Sequence, residues 1–323
     1  MNFDPKISVV MSVYNGGDFL YESIQAILNQ TFTDFEFIII DDCSTDHTWK
    51  VLNDFAFNDK RLKIFQSEKN IGIEGFIRNL NFGCNKANGK YIARIDHDDI
   101  SRKDRFQLQY DFLESNPDIF IVGAALTKIG KDGNDLGKMQ APLHNEELRS
   151  LMPKKISLYH PVIMFRKDFY QNFYREKMRY CEDYDFYLRI ITDSLKMANL
   201  EQSLLQYRVL EDSMSRKQDK VIKNLFINQA KVFFKERLKK GKDSYESFDP
   251  NRFLNIYQDP SKELIIEAIQ VSKKYYDFTG FVKLMNIYKK LYGNDNYYFR
   301  QQLLLHFGES NFLTFCRFSN YKS

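Results

Sequence analysis

In the first hundred residues, short apolar runs rich in β-branched side chains alternate with stretches of helical spacing. Four runs fit buried strands: Ile7–Val13, Phe35–Ile40, Leu62–Phe65 and Tyr91–Ile95. Amphipathic stretches of about a dozen residues, such as Asp18–Asn29 and Glu74–Ala87, separate them. This alternation is typical of βαβ units. It predicts an α/β fold with a mostly parallel central sheet and helices on both faces.

After the fourth strand the pattern changes, and after Ser215 it becomes purely helical. We expect further elements at Asp104–Ser115 (helix), Ile119–Ala124 (strand), Asp132-Gly133 (hairpin turn), His160–Phe165 (strand), Glu182–Thr192 (helix) and Leu204–Val209 (strand). Helical spacing follows in Lys217–Lys240, Lys262–Asp277, Phe281–Leu291 and Tyr297–His306. The sequence therefore predicts a catalytic or binding domain over residues 1–215 and an all-helical extension over residues 216–323.

The net charge of +4 over 323 residues conceals two unlike parts. Residues 216–323 hold 20 basic and 11 acidic side chains, whereas residues 1–215 hold 27 basic and 32 acidic ones. The overall charge gives no support to nucleic-acid binding. Four scattered cysteines indicate a reducing compartment rather than a zinc site. Met1–Val13 does not fit a signal peptide and no run is long enough to span a membrane, so we expect a cytoplasmic protein.

Acidic side chains follow two of the predicted strands. Asp41 and Asp42 end one strand, and Asp96, Asp98 and Asp99 follow another. Ligands of open α/β sheets bind outside the carboxyl ends of the strands. Carboxylates there can accept hydrogen bonds from a base or ribose, or hold Mg²⁺ or Mn²⁺ on a diphosphate. Either cluster alone also fits an ordinary turn or helix cap.

Five segments together resemble the inverting GT-A glycosyltransferases of family 2, and they cover about residues 6–215 in the family's order. They are Ser8–Asn15 (SVVMSVYN), Gln30–Asp46 (QTFTDFEFIIIDDCSTD), Gly89–Asp99 (GKYIARIDHDD), His160–Arg166 (HPVIMFR) and Glu182–Arg189 (EDYDFYLR). The resemblance implies a GT-A fold and transfer of a hexose or N-acetylhexosamine from a UDP-sugar to a hydroxyl of a glycan acceptor. The glycan acceptor would be of the kind found in the synthesis of bacterial lipopolysaccharide, O-antigen or capsule.

The resemblance also implies roles for single residues. Asp183 would be the catalytic base, and Asp98 would bind Mn²⁺ or Mg²⁺. Ser12, Tyr14, Asp42, Arg78 and Asp96 would bind the sugar nucleotide, with Tyr14 stacked on the base, and His160 and Glu182 would lie on the acceptor side. Leu210 occupies the position where many members carry a metal-site His, which leaves Glu211 or Asp212 as alternatives for a second ligand.

Other interpretations of the same residues lead to different predictions. A first-turn acid such as Asp183 also stabilises a helix dipole, a helix Arg such as Arg78 can simply be solvated, and a His before Pro is commonly a packed core residue. Two alternative functions are a non-catalytic sugar-nucleotide-binding protein on the same scaffold and a sugar nucleotidyltransferase. The basic extension fits an anionic membrane surface on the inner face of the cell membrane, a solvated helical cap, or a homodimer contact.

Overall fold

The computed structural model describes residues 4–169, 173–211, 218–306 and 308–320. The chain divides into two compact units, which are described separately. The first unit is Met1–Glu176 with Glu182–Ser213, and the second is Lys177–Cys181 with Met214–Ser323. The domain boundary predicted between residues 215 and 216 lies outside the described residues.

The first unit is built on a sheet with helices packed against it. Its strands are β1 (Ile7–Val13), β2 (Phe35–Asp41), β3 (Leu62–Gln66), β4 (Tyr91–Arg94), β5 (Ile100–Ser101), β6 (Ile119–Ile129), β7 (Asp135–Met139), β8 (Met164–Arg166) and β9 (Lys196–Arg208). Its helices are α1 (Leu20–Leu28), α2 (Thr48–Asn58), α3 (Ile73–Lys86), α4 (Arg105–Ser115), α5 (Asn145–Leu151) and α6 (Glu182–Thr192).

The strand order is β3-β2-β1-β4-β8-β6-β9-β5, and β7 pairs with β6. The first four strands are parallel, as predicted. Beyond β4 the sheet is mixed, because β8 is antiparallel to both β4 and β6, whereas β6 and β9 are parallel. The carboxyl ends of β2, β1 and β4 therefore meet at one edge of the sheet, with β1 in the middle.

Helices cover both faces of the parallel strands. Val9 and Met11 of β1 belong to a core that also contains Leu20 of α1 and Phe106 of α4. Alternate residues of a strand point to opposite faces, so Val10 points the other way. There it meets Gly83 of α3, where an added Cβ would lie 2.5 Å from Val10 Cγ1. The glycine lets the α3 backbone approach the sheet closely.

The prediction of a strand over His160–Phe165 was wrong in its first half. His160–Val162 form a single 3-10 turn, and only Met164–Arg166 pair with neighbouring strands. Pro161 has no backbone N–H to donate to a sheet, so the apolar run enters the core as a turn before it becomes a strand. The predicted Asp132-Gly133 turn is found between β6 and β7, with Gly133 at φ 81°.

The second unit is helical in all its described elements. They are α7 (Lys220–Lys240), α8 (Asn251–Leu254), α9 (Lys262–Lys274), α10 (Phe278–Tyr292), α11 (Asn296–His306) and α12 (Gly308–Asn320). Asp219 caps α7 by accepting hydrogen bonds from the backbone N–H groups of Val221 and Ile222. Among the described residues, no helix combines the length and apolar character that crossing a bilayer requires.

Candidate active site

Asp42 is buried among polar side chains at the end of β2. Its side chain accepts a hydrogen bond from Asn79 Nδ2 at 2.9 Å, and the same nitrogen lies 3.3 Å from Ser12 Oγ. Burial raises the pKa of Asp42, although hydrogen bonds involving Asn79 and Ser67 oppose the rise. Gly75 leaves room for the carboxylate, since a Cβ there would lie 3.0 Å from both oxygens. The structure thus brings Ser12 and Asp42 together, with Asn79 of α3 between them.

Asp41 has a different role from its neighbour. Its carboxylate accepts hydrogen bonds from Gln66 Nε2 at 2.9 Å and from the backbone N–H of Ser44 at 3.2 Å. These contacts hold the turn that leads into α2, in which Cys43 has a φ of 60°. The turn interpretation therefore applies to Asp41, whereas Asp42 contacts Asn79 beside Ser12.

Three carboxylates converge just beyond the end of β4. Ligand oxygens of Asp96, Asp98 and Asp99 all lie within 4.8 Å of one another. Burial and the negative charges of Asp96 and Asp98 raise the pKa of Asp99 well above its ordinary value. The pKa of Asp98 is also raised, chiefly by burial. A cation would relieve both the desolvation and the repulsion.

The donor atoms of this cluster fit a divalent metal. Asp99 is fully buried, and its Oδ2 accepts no hydrogen bond from any described residue. Oxygen ligands from carboxylates are those that Mg²⁺ and Mn²⁺ prefer. We therefore regard Asp96, Asp98 and Asp99 as residues that could hold the ion.

Arg208, the last residue of β9, holds the acidic loop in place. Its backbone N–H donates to Asp99 Oδ1 at 2.9 Å, and its Nε donates to the carbonyl oxygen of Asp98 at 3.1 Å. The guanidinium is nearly buried, forms an ion pair with Glu22 at 2.8 Å and lies 4.4 Å from the Phe19 ring centroid. These contacts orient the loop from outside the cluster, as partners of metal ligands commonly do.

A buried arginine links the acidic cluster to the predicted acceptor side. Arg94 Nη1 lies 2.5 Å from Asp96 Oδ2. Burial and the positive charge of Arg94 hold the pKa of His160 well below its ordinary value, so His160 is neutral. His160 Nε2 forms a 2.8 Å hydrogen bond with the Tyr174 hydroxyl. His160 is thus a buried, hydrogen-bonded side chain at this position.

Asp183 lies in the first turn of α6, which begins and ends where the sequence predicts. Its carboxylate accepts a hydrogen bond from the backbone N–H of Tyr184 at 2.7 Å, and its side chain is partly exposed. Burial raises the pKa of the Tyr187 hydroxyl well above its ordinary value. The negative charge of Asp183 raises it further, and the positive charge of Arg94 opposes the rise. Phe186, fully buried, packs α6 against neighbouring rings, so the helix start is held firmly.

The remaining predicted site residues lie in different surroundings. Tyr14 follows β1 and is 42% exposed. Arg78 is about half exposed and forms ion pairs with Glu74 at 2.5 Å and Glu176 at 3.2 Å. Glu182 is nearly buried at the start of α6. Asp212, one of the alternative metal ligands, lies outside the described residues.

Comparison with known proteins identifies the family. The profile described as Glycosyl transferase family 2 matches residues 8–173, just over half of the chain. The chain belongs to this family. Its transferase relatives include the O-antigen biosynthesis glycosyltransferase WbnJ of Escherichia coli, 34% identical over 65% of this chain and 82% of WbnJ. Another is the amylovoran biosynthesis glycosyltransferase AmsE of Erwinia amylovora, 28% identical over 65% of this chain and 79% of AmsE.

Solved structures show the same fold. S. aureus TarS in complex with UDP-GlcNAc is similar over 92% of both chains, with a TM-score of 0.55 and 17% identity. The mannosyltransferase PcManGT of Pyrobaculum calidifontis, in complex with GDP-Man and Mn²⁺, is similar over 98% of this glycosyltransferase and 85% of its own chain. Its TM-score is 0.54 and its identity 12%. The predicted GT-A-like fold with a C-terminal helical region is confirmed.

Three residues of the site were not singled out by the sequence. Asn79 lies on a helix face that the strand-end argument does not reach, and Arg208 contacts the acidic loop across 109 positions. Asp99 was noted in the acidic cluster but given no role of its own. The signal that could have indicated it is its place next to Asp98, where two adjacent acids repel each other unless a cation is near.

Proposed function

We propose that the chain is an inverting, metal-dependent glycosyltransferase. It transfers a hexose or N-acetylhexosamine from a UDP-sugar to a hydroxyl of a lipopolysaccharide, O-antigen or capsule-type acceptor. The observation that carries the proposal is the cluster of Asp96, Asp98 and Asp99, two strands away from Asp42. The names of WbnJ and the UDP-GlcNAc bound to TarS support the acceptor class and the donor. Cys43 and Cys84 carry free thiols, which supports a reducing, cytoplasmic setting.

The donor pocket follows from the strand order. Adjacent strands lie 4.7–4.9 Å apart, so the end of β2 and the end of β4 are separated by roughly 10 Å. A nucleoside diphosphate can bridge that gap, with its uracil N–H donating to Asp42 beside Ser12 and its ring stacked on Tyr14. Asp96 then faces the ribose or the sugar. Arg78 remains our candidate for the diphosphate once it leaves its glutamate partners.

The metal site would be formed by Asp98, together with its neighbours Asp96 and Asp99. A bound ion would supply positive charge beside the two phosphates of the departing UDP. The chain contributes the geometry, because Arg208 fixes the loop backbone and Arg94 fixes the Asp96 carboxylate. The two arginines thus restrict the carboxylates before the donor arrives.

The catalytic base is Asp183. An acceptor hydroxyl is a poor nucleophile, so a carboxylate must take its proton as the oxygen forms a bond to the sugar C1. The bond from C1 to the diphosphate oxygen breaks on the opposite face, which inverts the configuration at C1. Asp183 suits this role because its side chain is partly exposed on a firmly packed helix. Glu182 and His160 are proposed to shape the acceptor side beside it.

The test measures UDP release from UDP-glucose, UDP-galactose, UDP-GlcNAc and UDP-GalNAc with Mn²⁺, Mg²⁺ or EDTA. We expect Asp183→Asn to lower the rate at saturating donor by about 100- to 10,000-fold while donor affinity stays within a few fold. Asp98→Asn should lower both the rate and metal-dependent donor binding. Asp111→Asn on α4, an exposed acid, is the matched control and should keep the parent rate.

Other outcomes separate the alternatives. A parent protein that binds UDP-sugars without releasing UDP, even with a cell-wall or lipopolysaccharide extract as acceptor, would be a non-catalytic binding protein. Pyrophosphate production from UTP and a sugar phosphate would indicate a nucleotidyltransferase. If Asp183→Asn kept the parent rate, the assigned base would be wrong.

A further inference from the structure

A cluster of lysines joins two helices of the second unit. Lys231 and Lys235 lie one turn apart on α7, and Lys274 is the last residue of α9. The ammonium groups of Lys231 and Lys274 lie 5.2 and 5.7 Å from the centroid of the same Tyr275 ring. Lys274 Nζ also donates to Asn228 Oδ1 on α7 at 2.8 Å. The two helices therefore present one basic surface, here called the lysine cluster.

The three ammonium groups are close enough to repel one another. Burial, followed by the charges of Lys274 and Lys235, lowers the pKa of Lys231 to about 8. Burial and Lys235 also lower the pKa of Lys274. An anionic partner would relieve this repulsion. Residues 216–323 carry 20 basic and 11 acidic side chains, so the cluster is the dense part of a generally basic region.

Exposed apolar side chains accompany the lysine cluster. Val232 and Leu238 on α7 are 38% and 61% exposed, and Tyr276, just after α9, is 43% exposed. On a helix, side chains three or four positions apart are neighbours, so Val232 and Leu238 flank Lys235. A small soluble anion makes no use of such side chains. A membrane interface does, since its phosphates attract lysines while its acyl boundary accepts apolar groups.

We propose that the lysine cluster and its apolar neighbours, Val232, Leu238 and Tyr276, dock on an anionic lipid surface. Phosphate headgroups bind between the ammonium groups of α7 and α9, and Leu238 enters the boundary between headgroups and acyl chains. Every residue in this attachment belongs to the second unit, and none of them is among the residues proposed for the transfer chemistry. It would hold the enzyme where a lipid-linked acceptor is presented.

The experiment is flotation of the full chain with vesicles of phosphatidylcholine alone or with 30% phosphatidylglycerol. The parent should float with the anionic vesicles and remain behind with the neutral ones. The triple variant Lys231→Gln, Lys235→Gln, Lys274→Gln should partition about 100-fold more weakly, at roughly a tenfold or smaller loss per lysine. The matched control removes three exposed charges from the same unit by Lys220→Gln, Lys289→Gln and Lys290→Gln and should partition like the parent.

A second variant keeps the apolar part of the proposal testable. Leu238→Ser should weaken flotation at high salt, where screening leaves the apolar contribution dominant. UDP release should remain at the parent rate in the triple variant and in Leu238→Ser, which shows that both are folded and separates this proposal from the catalytic one.

Several results would overturn the proposal. One is equal loss of flotation in the matched control, because net charge rather than this surface would then be responsible. Another is equal binding to neutral and anionic vesicles. A third is a dimer, seen by sedimentation without lipid, that the triple variant dissociates while flotation is unchanged. In that case the surface would serve a second copy of the chain.

Discussion

Buried carboxylates lie at both ends of the parallel strands, but their surroundings differ. Near the amino end of β2, Glu36 accepts hydrogen bonds from Ser8 Oγ and the Asn88 N–H, each at 2.6 Å, and from Lys63 Nζ at 2.5 Å. Just beyond the carboxyl end of β4, one oxygen of Asp99 accepts no hydrogen bond from the described residues. Both acids are fully buried. The two acids are thus equally buried, and they differ in the hydrogen-bond donors that surround them.

The pKa directions express the same difference. For Glu36, burial would raise the pKa, but hydrogen bonds from Lys63, Ser8 and Asn88 together lower it below its ordinary value. For Asp99, burial and neighbouring acids raise it. The fold alone satisfies the charge on Glu36, whereas burial and the neighbouring acids oppose a charge on Asp99.

The largest expected effect is on catalysis. Asp99→Asn should lower the Mn²⁺-dependent rate of UDP release by about 100-fold, because a neutral amide is a poor ligand for a hard cation. Glu36→Gln, measured where both proteins are folded, should stay within about twofold of the parent. Titration of the rate with Mn²⁺ measures this. An Asp99→Asn enzyme with the parent metal dependence would show that the unpaired oxygen is not a ligand.

The next largest effect is on stability, where we expect Glu36→Gln to be more damaging than Asp99→Asn. Glu36→Gln should lower the free energy of unfolding by about 2 kcal/mol, because charge-assisted hydrogen bonds are lost in a buried site. Asp99→Asn in EDTA should be neutral or stabilising, since it removes an uncompensated buried charge. Urea unfolding followed by fluorescence of Trp49, the single tryptophan, reports on the first unit. Equal destabilisation by both variants would contradict the distinction.

A smaller effect concerns the support of the acidic loop. Arg208→Lys removes the Nε–H that donates to the Asp98 carbonyl but keeps a positive charge and the backbone N–H to Asp99. We expect about tenfold weaker Mn²⁺ affinity, with the rate recovering at saturating metal. Lys131→Arg, on an exposed position of the neighbouring turn, serves as the control. Unchanged metal affinity would mean that Arg208 only stabilises the fold.

The smallest effect is the pH dependence of the Glu36 contribution. Because the folded-state pKa of Glu36 is lowered, its stabilisation is present above the unfolded value near 4.5 and is lost as pH falls through the folded pKa. The parent should therefore lose stability more steeply than Glu36→Gln below about pH 4.5. Unfolding by urea at pH 3 to 7 compares the slopes. Parallel slopes would show that Glu36 does not titrate in this way.

Local patterns were sufficient to predict much of the first unit. The strand Ile7–Val13 and the helix Glu182–Thr192 have the predicted bounds, because β-branched runs and helical spacing are strong local signals. β9, with polar residues such as Glu201 and Gln202 inside it, was predicted only over its last part. Pairing with β6 and β5 holds β9 in an extended conformation where its own sequence pattern does not indicate a strand.

In the candidate site, too, some features follow from local sequence and others depend on contacts between distant segments. The placement of Asp42 and Asp98 at one edge of the sheet was predictable, because the carboxyl ends of parallel strands meet there, whereas their proposed roles stay predictions. Asn79 and Arg208 were not predictable, because their roles depend on contacts between distant segments. Glu36 would have been a false candidate if burial alone had been the criterion, since its partners come from three separate elements.

The 109-residue separation between Asp99 and Arg208 has a consequence for synthesis. Chains elongate at about 5–20 residues per second, so the acidic loop emerges roughly 5–20 s before the strand that fixes it. During that interval, adjacent carboxylates repel one another without the Arg208 backbone to orient them. Non-local contacts of this length also slow folding. The acidic loop is therefore synthesised well before the strand whose last residue holds it in place.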